Sequence, residues 1–355
     1  MYTADANSDG KTSEKYRYPE RIKTLACIAV VMLHTFYAAD AYAGTVSEHF
    51  LMQGLRNLCQ WAVPCFVMVS GALLLESGKQ ITLEKLWKRY IFRMAAALLF
   101  FSFFYAVLDG ILNNDLGTGT VLTAIRDIVF GGGYRHMWYL YMMTGIYIFL
   151  PVYKYVADFA DKKSLIYIIS VLTVFQCMIP LAEKATGTDI AFYICVYSVY
   201  PFYLLLGHSI NKGVIRLPVW ISVVFTAVSA GSILLLTVSG TNGNDAAKQI
   251  AESYSDPFIA LGAAGIFSLF YGMEKKEHKV FDNFCRVISP CSFGIYLLHM
   301  APLRIVFANG HDLLHSGGIL AVILTGVGVF ILSFGIVFLC RLLLSKAGRK
   351  SSKDR

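Results

Sequence analysis

Four groups of polar residues interrupt otherwise apolar stretches of this sequence, and their types are those that move protons or bind phosphate. Lys23 and His34 are eleven residues apart. At about 1.5 Å and about 100° per helical residue, they share one helix face and differ in height by about 16 Å. An imidazole there can act as general base or nucleophile near neutral pH, and the lysine can hold phosphate as a point charge. Ser289, Ser292, Tyr296 and His299 form a second polar stripe at helical spacing, with His299 about 18 Å in from Val287, a height similar to that of His34. Arg89 and Arg93 lie four residues apart in the basic stretch Lys85 to Arg93, and with Lys23 they make a cationic mouth suited to phosphates. Arg135, His136 and Trp138 stand together at the opposite end of an apolar run, where a substrate site fits.

Each group also has a plainer reading. A neutral imidazole can simply bond a neighbouring helix, Lys and Arg at helix ends are ordinary topology signals, and Trp and Tyr often form an interfacial belt. Ser70-Gly71 reads as a close helix contact, and Glu76 as a solvated carboxylate. Two features raise the functional reading: Lys23 aligns with His34, and two histidines stand at one depth. A titratable group in hydrocarbon costs at least about 2.5–3.5 kcal/mol on insertion scales.

The elements that carry these residues are apolar helices. The chain has 355 residues, 56% hydrophobic, 14% aromatic and only 15% charged, with mean hydropathy +0.58. A soluble surface needs about 25% charge, so a nucleic-acid-binding domain, a disordered tail protein and a secreted disulfide scaffold are excluded. Crossing about 30 Å of hydrocarbon takes about 20 apolar residues. Ten runs qualify: 24–42, 57–75, 91–109, 137–155, 164–182, 190–210, 217–238, 257–273, 287–308 and 317–343. The expected fold is an all-α polytopic membrane bundle of about ten transmembrane helices.

Charge between the runs supports that count. The connecting segments alternate between rich and poor in Lys and Arg: 25 of the 31 fall in one set, which includes Arg21 and both termini. By the positive-inside rule both termini are cytoplasmic and the number of spans is even. Residues 1–23 read as a cytoplasmic segment, 24–343 as the membrane domain and 344–355 as a basic cytoplasmic tail. The opening segment lacks a short apolar core with a cleavage site, so the first run reads as an uncleaved signal anchor. The eight cysteines sit mostly inside apolar runs without zinc spacing, so they read as small hydrophobes and no metal site is expected. The longest outer connections are 110–136, with Gly131-Gly132-Gly133, and 239–256.

Motifs then narrow the class. The stretch Glu20 to His34, a basic residue followed by ten residues and a histidine, resembles the first helix of the acyltransferase-3 family. Val63-Pro64-Cys65-Phe66-Val67-Met68-Val69-Ser70-Gly71 resembles its "VPxFxxxSG" segment. His136-Met137-Trp138-Tyr139-Leu140 through Tyr147 to Pro151 resembles "HxWYL…Y…P", and Ser292-Phe293-Gly294-Ile295-Tyr296-Leu297-Leu298-His299 resembles "SxGIYLxH". The four segments occur in the family's order over nearly the whole chain. Lys23 replaces an Arg common in the family, and Glu20 a common Asp; Lys binds phosphate without bidentate geometry.

The resemblance implies a stand-alone integral-membrane O-acyltransferase of the plasma membrane of a bacterium, with no permanently bound cofactor. Its donor substrate would be acetyl-CoA or another acyl-CoA on the cytoplasmic side, and its acceptor a hydroxyl of an extracytoplasmic or lipid-linked glycan. Lys23, Arg89 and Arg93 would hold donor phosphates, and His34 would be catalytic, as base or as transient acyl carrier. Tyr296 and His299 would orient groups or stabilise an oxyanion, and Arg135, His136 and Trp138 would recognise the acceptor. The expected partners are the lipid bilayer, the glycan and the acyl-CoA, with no nucleic acid; nothing in the sequence sets the oligomeric state. The competing class is a transporter or flippase with a histidine relay, against which count the lack of visible repeats and of Gly/Pro-broken helix pairs. A third is a membrane partner of a glycan synthase with structural histidines.

Overall fold

The computed structural model describes residues 16–114, 126, 134–192, 196–308 and 313–351. Every regular element among them is helical. Helix α1 spans Tyr18–Asp40, with Pro19 in its first turn, where the missing N–H costs nothing. Helices α2 (Val46–Leu58) and α3 (Ala62–Leu74) follow, then α4 (Leu83–Leu112), which contains a π-helical turn at Leu86–Ile91. The short turn Arg135–Met137 leads into α5 (Trp138–Ile148) and α6 (Leu150–Phe159), which meet at 54°. Next come α7 (Lys162–Thr186), α8 (Tyr200–Asn211), α9 (Val219–Thr241), α10 (Asp245–Ala251) and α11 (Pro257–Gly272). Helix α12 (Lys279–Leu298) bends by 45° into α13 (Met300–Ala308), and α14 (Leu313–Ser351) closes the chain.

Among the described residues six helical stretches, one of them α2 and α3 taken together as Val46–Leu74, are long and apolar enough to cross a bilayer, and up to eight if each bent pair is one span. The ten expected runs are all occupied by helix, but two of them, 190–210 and 257–273, hold only α8 with 12 residues and α11 with 16. Helix α8 is buried from Pro201 to Ile210. An apolar run reads alike in sequence whether it faces lipid or the interior of a bundle. The bent pairs also correct the expectation that no broken helices are present. One break lies beside Pro151, which lacks an N–H for the turn before it, and the other lies at His299.

Helix α1 lies at the centre, packed against α2, α3, α11, α12 and α14. Its amino end is tied down by charge. The Glu274 carboxylate accepts the backbone N–H groups of Arg17 at 2.8 Å and Tyr18 at 2.7 Å, two donors that a helix leaves without internal partners. Arg21, which the charge count places among the topology signals, is instead buried. Its Nε and Nη2 donate to Asp282 Oδ1 and Oδ2 at 2.6 and 3.0 Å, and it also donates to the carbonyls of Met273 and Lys276. A buried guanidinium is tolerable only when its donors are met in this way.

The expected close contact at Ser70-Gly71 is present. A Cβ on Gly71 would lie 1.9 Å from the Leu204 carbonyl oxygen, and one on Gly207 would lie 2.1 Å from that of Met68. Helices α3 and α8 therefore touch backbone to backbone, the small-residue packing that membrane helices use. The seven cysteines among the described residues are free, and six of them are at least partly buried; Cys195 and Gly131-Gly132-Gly133 lie outside the described residues.

Candidate active site

His34 projects from α1 three turns beyond Lys23, and the fold brings two more histidines to it from distant parts of the chain. The ring centroids of His34 and His299 are 5.1 Å apart, those of His136 and His299 5.5 Å, and those of His34 and His136 6.3 Å. His299 is 0% exposed and His136 2%, whereas His34 is only half-buried. The cluster thus sets one half-buried histidine against two enclosed ones. No group of three His, Cys, Asp or Glu among the described residues is placed to hold a metal ion.

Local structure explains how the two enclosed rings are held. His299 is the hinge residue between α12 and α13, and its Nδ1 lies 2.7 Å from the Tyr296 carbonyl. A carbonyl only accepts, so Nδ1 carries the proton; in the neutral ring the lone pair is then on Nε2, which has no hydrogen-bond partner. His136 sits in the Arg135–Met137 turn, and the Tyr296 hydroxyl donates to its carbonyl oxygen. The Tyr296 hydroxyl is thereby engaged by a backbone carbonyl. Among the described residues neither ring nitrogen of His136 makes a hydrogen bond of good geometry.

The outer side of the cluster rests on groups that the sequence did not single out. The Tyr105 ring meets His136 edge-on at 5.1 Å and stacks on Tyr134 at 4.3 Å, and its hydroxyl donates to the Leu297 carbonyl at 2.7 Å. The Tyr134 hydroxyl donates to Asp109 Oδ1 at 2.8 Å, and Arg304 Nη2 approaches the same oxygen at 2.5 Å. Arg304 also lies over the Tyr134 ring at 5.1 Å. Asp109 and Arg304 are opposite charges within separate apolar runs, and charges so placed tend to pair; that was the signal available in the sequence.

The remaining expected residues are spread along the bundle. Lys23 is half-buried and interacts with other groups of the protein, toward the amino end of α1. Arg93 is half-buried with its guanidinium 4.5 Å from the centre of the Phe293 ring, which brings α4 against the "SxGIYLxH" helix. Arg89 is exposed in the π-helical turn of α4. The structure does not gather these three cations at the histidines, nor would phosphates about 16 Å below the reacting atoms require it. Trp138 is joined to the cluster through Tyr139, at 6.3 Å, and Tyr139 in turn lies 5.2 Å from Tyr296. The side chain of Arg135 lies outside the described residues.

Between Lys23 and His34 the same face of α1 carries Ala26 and Val30, both buried, which with Ala29, Ala62 and Val63 form a floor of small side chains. Half-buried Phe66, Tyr139, Met142 and Tyr296 stand against that floor.

Known proteins can be compared with this geometry. No curated protein and no solved structure matches the chain. The acyltransferase-3 family model, described as an acyltransferase domain, matches residues 16–341, a stretch that contains the three clustered histidines and both ends of the Lys23 to His34 face. The chain is therefore a membrane protein of the acyltransferase-3 family.

Proposed function

We propose that this protein transfers an acyl group, acetyl in the simplest case, from a cytoplasmic acyl-CoA to a hydroxyl of an extracytoplasmic or lipid-linked glycan. The observation that carries this reading is the half-buried His34 ring, backed by His136 and His299 and standing above Lys23 on one face of α1. Lys23, Arg89 and Arg93 bind the donor phosphates, and the pantetheine arm extends along the Lys23 to His34 face of α1. His34 takes the proton of the acceptor hydroxyl as its oxygen attacks the acyl carbonyl; the thioester C–S bond breaks, and the thiolate leaves and takes up a proton. His299 and Tyr296 orient the reacting groups, and acceptor recognition is assigned to Trp138, with His136 and Arg135 beside it in sequence.

The distribution of Lys and Arg supports cytoplasmic termini, and with them ten spans, in the plasma membrane of a bacterium. Purified protein in lipid vesicles tests the function. With labelled acetyl-CoA and surface glycan from the producing cell, the wild type consumes donor and labels the glycan, whereas His34→Ala, still folded, does neither. Normal transfer by that variant would remove His34 from the site.

The two bent helix pairs favour a second reading, because broken helices line the substrate sites of many transporters. The same vesicles separate the two: a transporter moves solute without any thioester, and an acyltransferase consumes it.

A further inference from the structure

Three half-buried aromatic side chains converge on one another at the outer end of the bundle, from three separate elements. Trp138 opens α5, Tyr200 opens α8, and Tyr254 lies in the connection before α11. Their ring centroids are 5.7 Å apart for Trp138 and Tyr200, 5.5 Å for Trp138 and Tyr254, and 6.2 Å for Tyr200 and Tyr254. The Tyr203 hydroxyl donates to the Tyr254 carbonyl at 2.7 Å, and Gln60 Nε2 donates to the Ala251 carbonyl at 2.7 Å, so the connection is pinned in place. None of Trp138 Nε1, Tyr200 Oη and Tyr254 Oη has a hydrogen-bond partner among the described residues.

Resting on the acyltransferase reading, we infer that Trp138, Tyr200 and Tyr254 form a subsite for a pyranose ring of the acceptor, one or more sugars away from the unit that is acylated. A pyranose is amphiphilic in the way this box is. Its C–H face is electropositive and packs on the negative face of an aromatic ring, while its edge hydroxyls need donors and acceptors, which three unpartnered polar tips supply. A lipid tail would cover the rings but leave those three tips without partners, at a cost in each case.

Position argues that the box is not the reacting site. Tyr139 and Tyr296 intervene between Trp138 and the histidines, with ring separations of 6.3, 5.2 and 6.0 Å along the series Trp138, Tyr139, Tyr296, His299. A sugar stacked on Trp138 therefore cannot present its own hydroxyl to His34. The acceptor must be an oligomeric or polymeric glycan, and a single sugar lacks the part that the box holds.

Purified protein in nanodiscs tests this with labelled acetyl-CoA and two acceptor preparations from the producing cell: its polymeric surface glycan and the same material hydrolysed to single sugars. The wild type is expected to half-saturate with polymer at a concentration at least 10-fold lower, per sugar, than with single sugars. In Tyr200→Leu and Tyr254→Leu that advantage disappears, while half-saturation by acetyl-CoA and the rate at saturating acceptor stay within twofold. The milder double variant Tyr200→Phe/Tyr254→Phe keeps the rings and loses only the hydroxyls, and its half-saturation by polymer rises about fivefold. Unchanged polymer half-saturation in the Leu variants, or in the Phe pair should the Leu variants fail to fold, would overturn the subsite. A wild type that labels single sugars as well as polymer would overturn it too. Absence of any labelled product from the wild type would instead bring down the acyltransferase reading, and the subsite with it.

Discussion

The His34 and His299 rings lie 5.1 Å apart at 43° to one another, although they come from opposite ends of the chain. His34 is supplied by the continuous helix α1 and His299 by the break between α12 and α13. A continuous helix thus carries the half-buried His34, and the hinge carries the ring whose Nδ1 is already fixed by the Tyr296 carbonyl.

The two rings should therefore respond differently to substitution. General-base assistance is worth about 10²–10⁴-fold in rate. His34→Ala is expected to lower transfer by at least about 10²-fold. His299→Ala should lower it less, because in the proposed mechanism the base survives and only its support is lost. Rates of labelled acetyl transfer by protein that remains monodisperse in detergent check both, and equal losses would contradict the division of roles.

On the proposed reading Lys23 serves the donor and not the acceptor. Lys23→Ala is expected to raise half-saturation by acetyl-CoA about tenfold, equivalent to about 1.4 kcal/mol, and to leave half-saturation by the glycan unchanged. Lys23→Arg should retain donor binding, since guanidinium is the better phosphate partner. Titrations of each substrate at fixed levels of the other decide the matter.

Backbone contact between α3 and α8 leaves no room for a methyl group. Gly71→Ala places a Cβ 1.9 Å from the Leu204 carbonyl oxygen, and Gly207→Ala places one 2.1 Å from that of Met68, so the helices must separate. Overpacking of this kind costs about 1–3 kcal/mol or more. Thermal unfolding in detergent should show a clear drop for either variant, whereas Gly231→Ala, with nothing within 4 Å, should leave the midpoint unchanged or raise it.

The ion pair of Asp109 with Arg304 supports the Tyr134 and Tyr105 stack beneath His136. Both side chains are partly exposed, so loss of the pair itself is worth at most about 1 kcal/mol. Asp109→Asn is nevertheless expected to slow transfer several-fold by releasing Tyr134, with little change in donor half-saturation. Arg304→Met, which keeps the Tyr134 to Asp109 bond, should do less. Steady-state rates of the two variants provide the comparison.

Asp256 caps α11 through Oδ1, while Oδ2 is buried without a partner, and burial raises its carboxyl pKa to about 6. A carboxyl whose pKa is higher folded than unfolded binds more protons in the folded state, so stability falls as pH rises from about 4 to about 6 and then levels off. Over that window the loss is at most about 3 kcal/mol. Asp256→Asn keeps a capping oxygen and carries no charge, so its unfolding midpoint should exceed that of the wild type at pH 7 and converge with it near pH 4. Parallel midpoints across that range would exclude Asp256 as the titrating group.

The membrane class, the helical runs and the alignment of Lys23 with His34 were legible in the sequence, because each depends on spacing along a single helix. The glycine contact at Gly71 was legible for a related reason: so small a residue in an apolar run marks a close neighbour, even when the neighbour's identity is hidden. The meeting of His136 with His34 and His299 was not legible, since no local rule says which of several polar stripes face one another. Nor was the burial of Arg21 against Asp282, because a basic residue near a helix start looks the same whether it is solvated or clamped. The burial of helix α8 was not legible either, because hydropathy reports only that a segment avoids water, and the interior of a bundle meets that condition as well as lipid does. Tertiary packing alone decided those points, because it chooses which apolar faces bury one another and so which distant polar groups are brought together.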